Sequence, residues 1–112
     1  MPTSSLLVDG RAVAPVIVAD TYGARLRGML ARRPLPPALL LRPANSVHGV
    51  GMTRRLEVAV LDPVGIVLAL RVLSPFGLTR PVKHGTQVLE APVGSFTTWG
   101  LTVGSVVTVA PH

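Results

Sequence analysis

The dipeptide Asp9-Gly10 stands between two apolar, β-branched runs, Leu6-Leu7-Val8 and Val13 to Val18, and it constrains this chain more than any other feature. Asp-Gly best supplies the positive φ angles of a tight two-residue turn, so the chain opens as a β-hairpin. Asp20 then stands where a helix N-cap belongs, and Tyr22, Leu26, Met29 and Leu30 fall at i, i+4, i+7 and i+8 on one stripe. This spacing predicts an amphipathic helix over about residues 21–32. The run Pro34-Leu35-Pro36-Pro37 cannot continue it, because proline lacks the N–H donor and clashes with the preceding turn.

From there the chain reads as short strands punctuated by glycine and proline: Ala38 to Leu41, a stretch around Val47 to Met52, Leu56 to Leu61, Ile66 to Leu73, Gln87 to Ala91 and Val103 to Ala110. Asp62-Pro63-Val64-Gly65, with proline second and glycine fourth, predicts a type I turn and a second hairpin. Residues 74–86 hold two prolines, two glycines, the cations Arg80 and Lys83 and the histidine His84, and read as a long loop, a frequent place for function. Ser95 to Trp99 is expected to make a helical turn closed by Gly100. The expected fold is α+β and mainly antiparallel β: a partly open barrel crossed by one amphipathic helix, with a short helical turn near 95–99. At 112 residues, 48% of them hydrophobic, the chain has the size and apolar content of a single domain spanning 1–112.

The charged residues are few, 14% in all, and unbalanced: a net charge of +6, with ten of the eleven cations arginine and Lys83 the exception. Such a balance favours polyanionic partners, and it is equally the mark of a GC-rich coding sequence. With no cysteine, disulfides, zinc–thiolate sites, iron–sulfur clusters and thiol catalysis are excluded. Met1 to Val8 lacks the basic and apolar regions of a signal peptide, and no apolar run reaches the ~20 residues that span a bilayer, so no membrane span and a cytoplasmic location are expected.

Three segments in order, Arg27-Gly28-Met29-Leu30-Ala31-Arg32, Ala38-Leu39-Leu40-Leu41-Arg42-Pro43 and Ser46-Val47-His48-Gly49-Val50-Gly51-Met52, resemble the signature of the family called domain of unknown function 192. The likeness continues through Leu61-Asp62, Thr79 to Val82, Val88 to Gly94 and Gly100 to Gly104, covering roughly residues 13–109. The Ser-Val-His form is similar to an actinobacterial-like branch sometimes encoded near pilus-assembly or secretion genes, which implies a partner protein of a pilus or secretion system. The chain departs from the family pattern at Arg55, where a proline or threonine is usual, at Glu57 and Ser105, where aspartate is usual, and at Gly49, often threonine. Any carboxylate-dependent activity of the family would be altered in this copy.

His48 is the first candidate for chemistry, since imidazole titrates near neutrality and is the commonest acid, base and metal ligand. In the family pattern it sits among small residues beside Met52; alternatively it is a half-buried histidine bonded to a backbone carbonyl. His48, His84 and His112 are too scattered for a metal site, and no metal or cofactor is expected. Glu90, between Leu89 and Ala91 in a strand, is the best candidate for a desolvated general base, although alternation could turn it outward to pair with Arg80 or Lys83. Asp62 reads as a turn residue. There is no Gly-x-Ser-x-Gly elbow, and both Gly-rich nucleotide loops are missing.

Arg54, Arg55, Arg80 and Lys83 would form an anion site if their segments converge, and a solvated basic rim otherwise. Of four aromatic residues, Tyr22 and Trp99 are claimed by helix packing, leaving only Phe76 and Phe96 for base stacking, so nucleic acid is disfavoured. The sequence thus favours a non-enzymatic ligand-binding or accessory module that holds an anionic small molecule, glycan or peptide near His48, Met52, Arg80, Glu90 and Trp99. The alternative is a small hydrolase or transferase with His48 and Glu90 as acid and base.

Overall fold

The computed structural model describes residues 3–21, 36–47 and 54–111. They form the strands β1 (Thr3–Val8), β2 (Arg11–Ala19), β3 (Leu39–Leu41), β4 (Leu56–Leu61), β5 (Val67–Leu73), β6 (Gln87–Pro92) and β7 (Val107–Pro111), with one short helix, α1 (Ser95–Trp99), before the last strand. The strands join one seven-stranded sheet in the order β5-β4-β6-β3-β2-β1-β7. All neighbours are antiparallel except β2 and β3, whose parallel register pairs Ile17 with Leu39 and Ala19 with Leu41. The expected helix over 21–32, and the strand expected around Val47 to Met52, fall almost wholly outside the described residues.

The turn chemistry decides the hairpins. Asp9 and Gly10 both adopt positive φ, 50° and 83°, the backbone of the type I′ turn that their identities predict. At the second hairpin the Gly65 N–H donates to the Asp62 carbonyl at 3.0 Å, while the Asp62 carboxylate accepts from the N–H groups of Val64 and Ile66 at 3.0 and 2.9 Å. Gly65 is required there twice over: its φ is +95°, and a Cβ would sit 2.2 Å from the Val107 carbonyl oxygen.

That close approach marks the seam where the edge strands meet. Ile66 and Val106 form an isolated bridge, the Val67 N–H donates to the Ser105 carbonyl at 2.9 Å, and the Val107 N–H to the Gly65 carbonyl at 2.8 Å. No ladder joins β5 to β7, so the expected partly open barrel is an open, curled sheet and not a closed barrel. The final strand starts at Val107 and not at Val103, because Thr102 to Ser105 make a turn in which Ser105 N–H donates to the Thr102 carbonyl at 3.0 Å.

Alternation along the strands builds two apolar faces. Inside the curl, Leu6 and Val8 of β1, Val16 of β2, Leu40 of β3, Leu61 of β4, Val67 of β5, Leu89 of β6 and Val107 of β7 pack with Phe96, Trp99 and Leu101. The rings of Phe96 and Trp99 lie 5.8 Å apart, tilted by 47°. On the opposite face Ala19, Leu39, Leu41, Val47, Leu56, Val58, Leu73 and Val88 form a second cluster. The central strand β3 is buried on both faces, which is why Leu39-Leu40-Leu41 shows no alternation.

Candidate functional site

His48 and Met52 lie outside the described residues, but the chain that leads to His48 is firmly placed. The Thr79 N–H donates to the Val47 carbonyl, and the Val47 N–H donates to Thr79 Oγ1, both at 2.9 Å. The Asn45 side-chain oxygen accepts from the Val82 N–H at 2.8 Å, and the Ala44 N–H donates to the Thr86 carbonyl at 3.0 Å. The long loop over 74–86 is therefore laced to residues 44–47 by backbone and side-chain hydrogen bonds.

The other expected residues part company. Val88 of β6 belongs to the outer cluster and Leu89 to the inner one, and the cross-strand partners of Glu90 are Leu39 and Val58, both outer. Glu90 thus sits on the outer face with Val47, only 4% exposed. Burial pushes its carboxyl up from an ordinary 4.5 to about 7. The outward pairing with Arg80 or Lys83 does not occur: both cations are exposed, Glu90 is buried, and no ion pair joins them among the described residues. Trp99 lies on the opposite face, in the inner cluster, where its carbonyl accepts from Arg11 Nη2 at 3.2 Å. The sheet therefore separates Trp99 from Glu90. Phe96 is also buried, so it offers no stacking platform.

The departures from the family pattern have local structural work. Glu57 points to the inner face, and its carboxylate accepts the N–H groups of Gly94 and Phe96, the latter at 3.1 Å, thereby capping the start of α1 from a neighbouring strand. Ser105 Oγ accepts the Thr102 N–H at 3.0 Å, closing the turn before β7 with a hydroxyl. Arg54 and Arg55 are exposed.

The sequence reading missed a cavity of about 700 Å³ at the open end of the inner face. Its apolar wall is Val18, Leu40, Val107 and Val109, and its polar wall includes Asp20, Arg42, Thr86 and Gln87. The signal was alternation: Val16 and Leu40 point inward, so Val18, Asp20 and Arg42, stepping by two, continue along the same face to the rim. The parallel register then sets Asp20 and Arg42 side by side, since the Arg42 N–H donates to the Ala19 carbonyl at 3.1 Å. Neither residue is without a partner in the protein. Thr86 has committed its backbone, N–H to the Leu61 carbonyl at 2.9 Å and carbonyl to Ala44, but its buried Oγ1 has no hydrogen-bond partner. A second cavity of about 620 Å³ lies beside α1, lined by Leu70, Val72, Phe96 and Leu101, and its acidic member, Glu57, is already spent on the helix cap.

The architecture is shared with solved structures. A protein of Sinorhizobium meliloti 1021, provisionally described as a transcription regulator, superposes with a TM-score of 0.80 at 16% identity, covering 96% of this chain and 93% of its own. A protein of unknown function from Novosphingobium aromaticivorans DSM 12444 gives 0.75 at 19% identity, covering 95% of this chain and 83% of its own. These likenesses concern the fold. In sequence, the UPF0127 protein PYRAB11210 of Pyrococcus abyssi is 29% identical over 84 residues, which is 70% of this chain and 72% of that protein. The DUF192 family profile, described as "Uncharacterized ACR, COG1430", matches residues 5–109, and the chain belongs to that family.

Proposed function

We propose that this domain is a non-enzymatic binding module for a small anionic molecule, held at the open end of the inner face. The observation that carries the reading is the cavity of about 700 Å³ with Arg42 among the residues that line it and an aliphatic wall of Val18, Leu40, Val107 and Val109. That volume and mixture match a small-molecule site, in which apolar surface supplies contact area and a few polar groups fix orientation. Guanidinium suits a carboxylate because its planar fork donates two parallel hydrogen bonds. Calorimetric titration with 4-methylpentanoate, glucuronate and inorganic phosphate tests the reading. An anion that binds the native protein and loses about tenfold or more in affinity with Arg42→Gln supports it. Silence across the set, or equal affinity in the variant, overturns it.

A second reading, a small hydrolase or transferase using His48 and Glu90 as acid and base, draws on a different observation. Glu90 is buried with its carboxyl near 7, on the same face as the residue that precedes His48. A general base works best with its pKa close to the operating pH. This reading expects turnover of some acyl or phosphoryl ester with a pH inflection near 7 that Glu90→Gln abolishes. A native protein inactive across such a set ends it.

A further inference from the structure

We infer that this domain seats on anionic lipid bilayers through the first turn of the loop over 74–86, with Phe76 and Leu78 entering the headgroup layer and the arginines beside them meeting the lipid charge. Ser74 to Gly77 make a tight turn: the Gly77 N–H donates to the Ser74 carbonyl at 2.8 Å, Pro75 is second, and Phe76, third, has a φ of +62°. In a type II turn that third position ordinarily belongs to glycine or asparagine. A bulky side chain in the left-handed region is strained, and such strain persists where function uses it. Burial returns nothing within the fold, because Phe76 is 75% exposed and Leu78 is 72% exposed.

The β4–β5 ladder brings charge to the same place. Leu56 pairs with Leu73, so Arg54 and Arg55, which precede β4, emerge beside the chain that runs from Leu73 into the turn. Both are exposed, and no hydrogen bond or ion pair engages either among the described residues. Leu78 and Arg80 flank the buried Thr79 and are themselves exposed. The next acid along β4, Glu57, is committed to the start of α1. Val72, the partner of Glu57, and Val93, which follows the Leu56 partner Pro92, add exposed apolar surface at this end of the sheet. Side chains as exposed as Phe76 and Leu78 stand out from the surface and line no groove, so a partner must supply the apolar medium around them. A bilayer does so without a matching socket: its interfacial zone favours aromatic side chains, and its anionic headgroups attract arginine. Leu78 and the valines offer a nucleic acid no stacking platform.

The experiment is co-sedimentation of the native protein with vesicles of phosphatidylcholine alone and of phosphatidylcholine mixed with phosphatidylglycerol, at about 0.1 M salt. The inference expects the anionic vesicles to bind about tenfold or more tightly, and Arg54→Gln and Arg55→Gln each to weaken that binding about fivefold. Phe76→Asn should weaken it about tenfold or more and yet melt no lower than the native protein, since asparagine suits the left-handed backbone and no burial is lost. Leu78→Ser should weaken binding by about as much, again with the melting transition unchanged. Binding lost while stability is kept is a result that a merely structural role for these side chains would not give. No binding to the anionic vesicles, or equal affinity for the two kinds, overturns the inference. So does binding that Phe76→Asn and Leu78→Ser leave unchanged, for the attachment would then be only the attraction of a net charge of +6. A Phe76→Asn protein that fails to fold would show that the ring supports the core, and would overturn it as well.

Discussion

The inner and outer faces of the sheet are filled by alternate residues of the same strands, and they treat a glutamate in opposite ways. On the inner face Glu57 delivers its carboxylate to two backbone N–H groups at the start of α1. On the outer face Glu90 lies buried between Leu39 and Val58, and no hydrogen bond reaches it from the described residues. One carboxylate is an architectural part; the other carries an uncompensated desolvation cost in the middle of a strand. Natural folds keep such groups rarely, which is why the outer face retains a claim on chemistry even though the inner one has the cavity.

The broadest test of this division is truncation at two adjacent residues of β6. Leu89 points inward, fully buried against the cluster that holds Trp99, and Leu89→Ala is expected to cost about 4 kcal/mol in urea unfolding. Val88, its neighbour, points outward, and Val88→Ala removes fewer carbons and should cost about 2 kcal/mol. A larger loss at Val88 would mean that the outer cluster, not the inner one, is the main core.

Next in size is the pH dependence contributed by Glu90. Its carboxyl titrates near 7 in the fold and near 4.5 in an open chain. Below 4.5 both states are protonated and the fold suffers no penalty from it. As pH rises, the unfolded chain loses its proton first while the folded one keeps it, so stability falls through the window and levels off above 7. The whole effect is on the order of 3 kcal/mol, most of it between pH 5 and pH 8. Glu90→Gln should match the native protein at pH 5 and exceed it at pH 8. A variant with the same pH slope as the native chain would show that Glu90 is not the buried acid it is described to be.

What the sequence disclosed and what it withheld follow from the range of the interactions. The turns at Asp9-Gly10 and Asp62 to Gly65, and the helical turn at Ser95 to Trp99, rest on residues within a few positions of one another, and all three are present as read. The strand order does not rest on local chemistry: β6 comes late in the chain yet inserts between β3 and β4. Alternation told that Val88 and Glu90 share a face but not whether that face is covered, and so left Glu90 open between base and surface ion pair. The cavity was hidden for the same reason. Asp20 and Arg42 are 22 positions apart in sequence, and only the parallel pairing of β2 with β3 makes them neighbours. Of the expected site residues, Glu90 lies on the outer face and Arg80 is exposed in the loop over 74–86, whereas Trp99 belongs to the inner core because α1 packs there.

The finest test returns to the inner glutamate. A helix of five residues leaves most of its backbone N–H groups without an internal partner, and the N-cap residue of α1, Gly94, has no side chain to cap it. Glu57 fills that role from β4, so removing its charge should loosen α1 without opening the core. Glu57→Gln keeps one acceptor oxygen and should cost about 1 kcal/mol, while Glu57→Ala leaves both N–H groups dependent on water and should cost nearer 2 kcal/mol. The readout that separates a cap from general packing is amide exchange: the N–H groups of Gly94 and Phe96 should lose protection in both variants while that of Leu89 keeps it. Equal loss at all three sites would mean that Glu57 supports the sheet as a whole, and the contrast between the two glutamates would then shrink to a difference in burial.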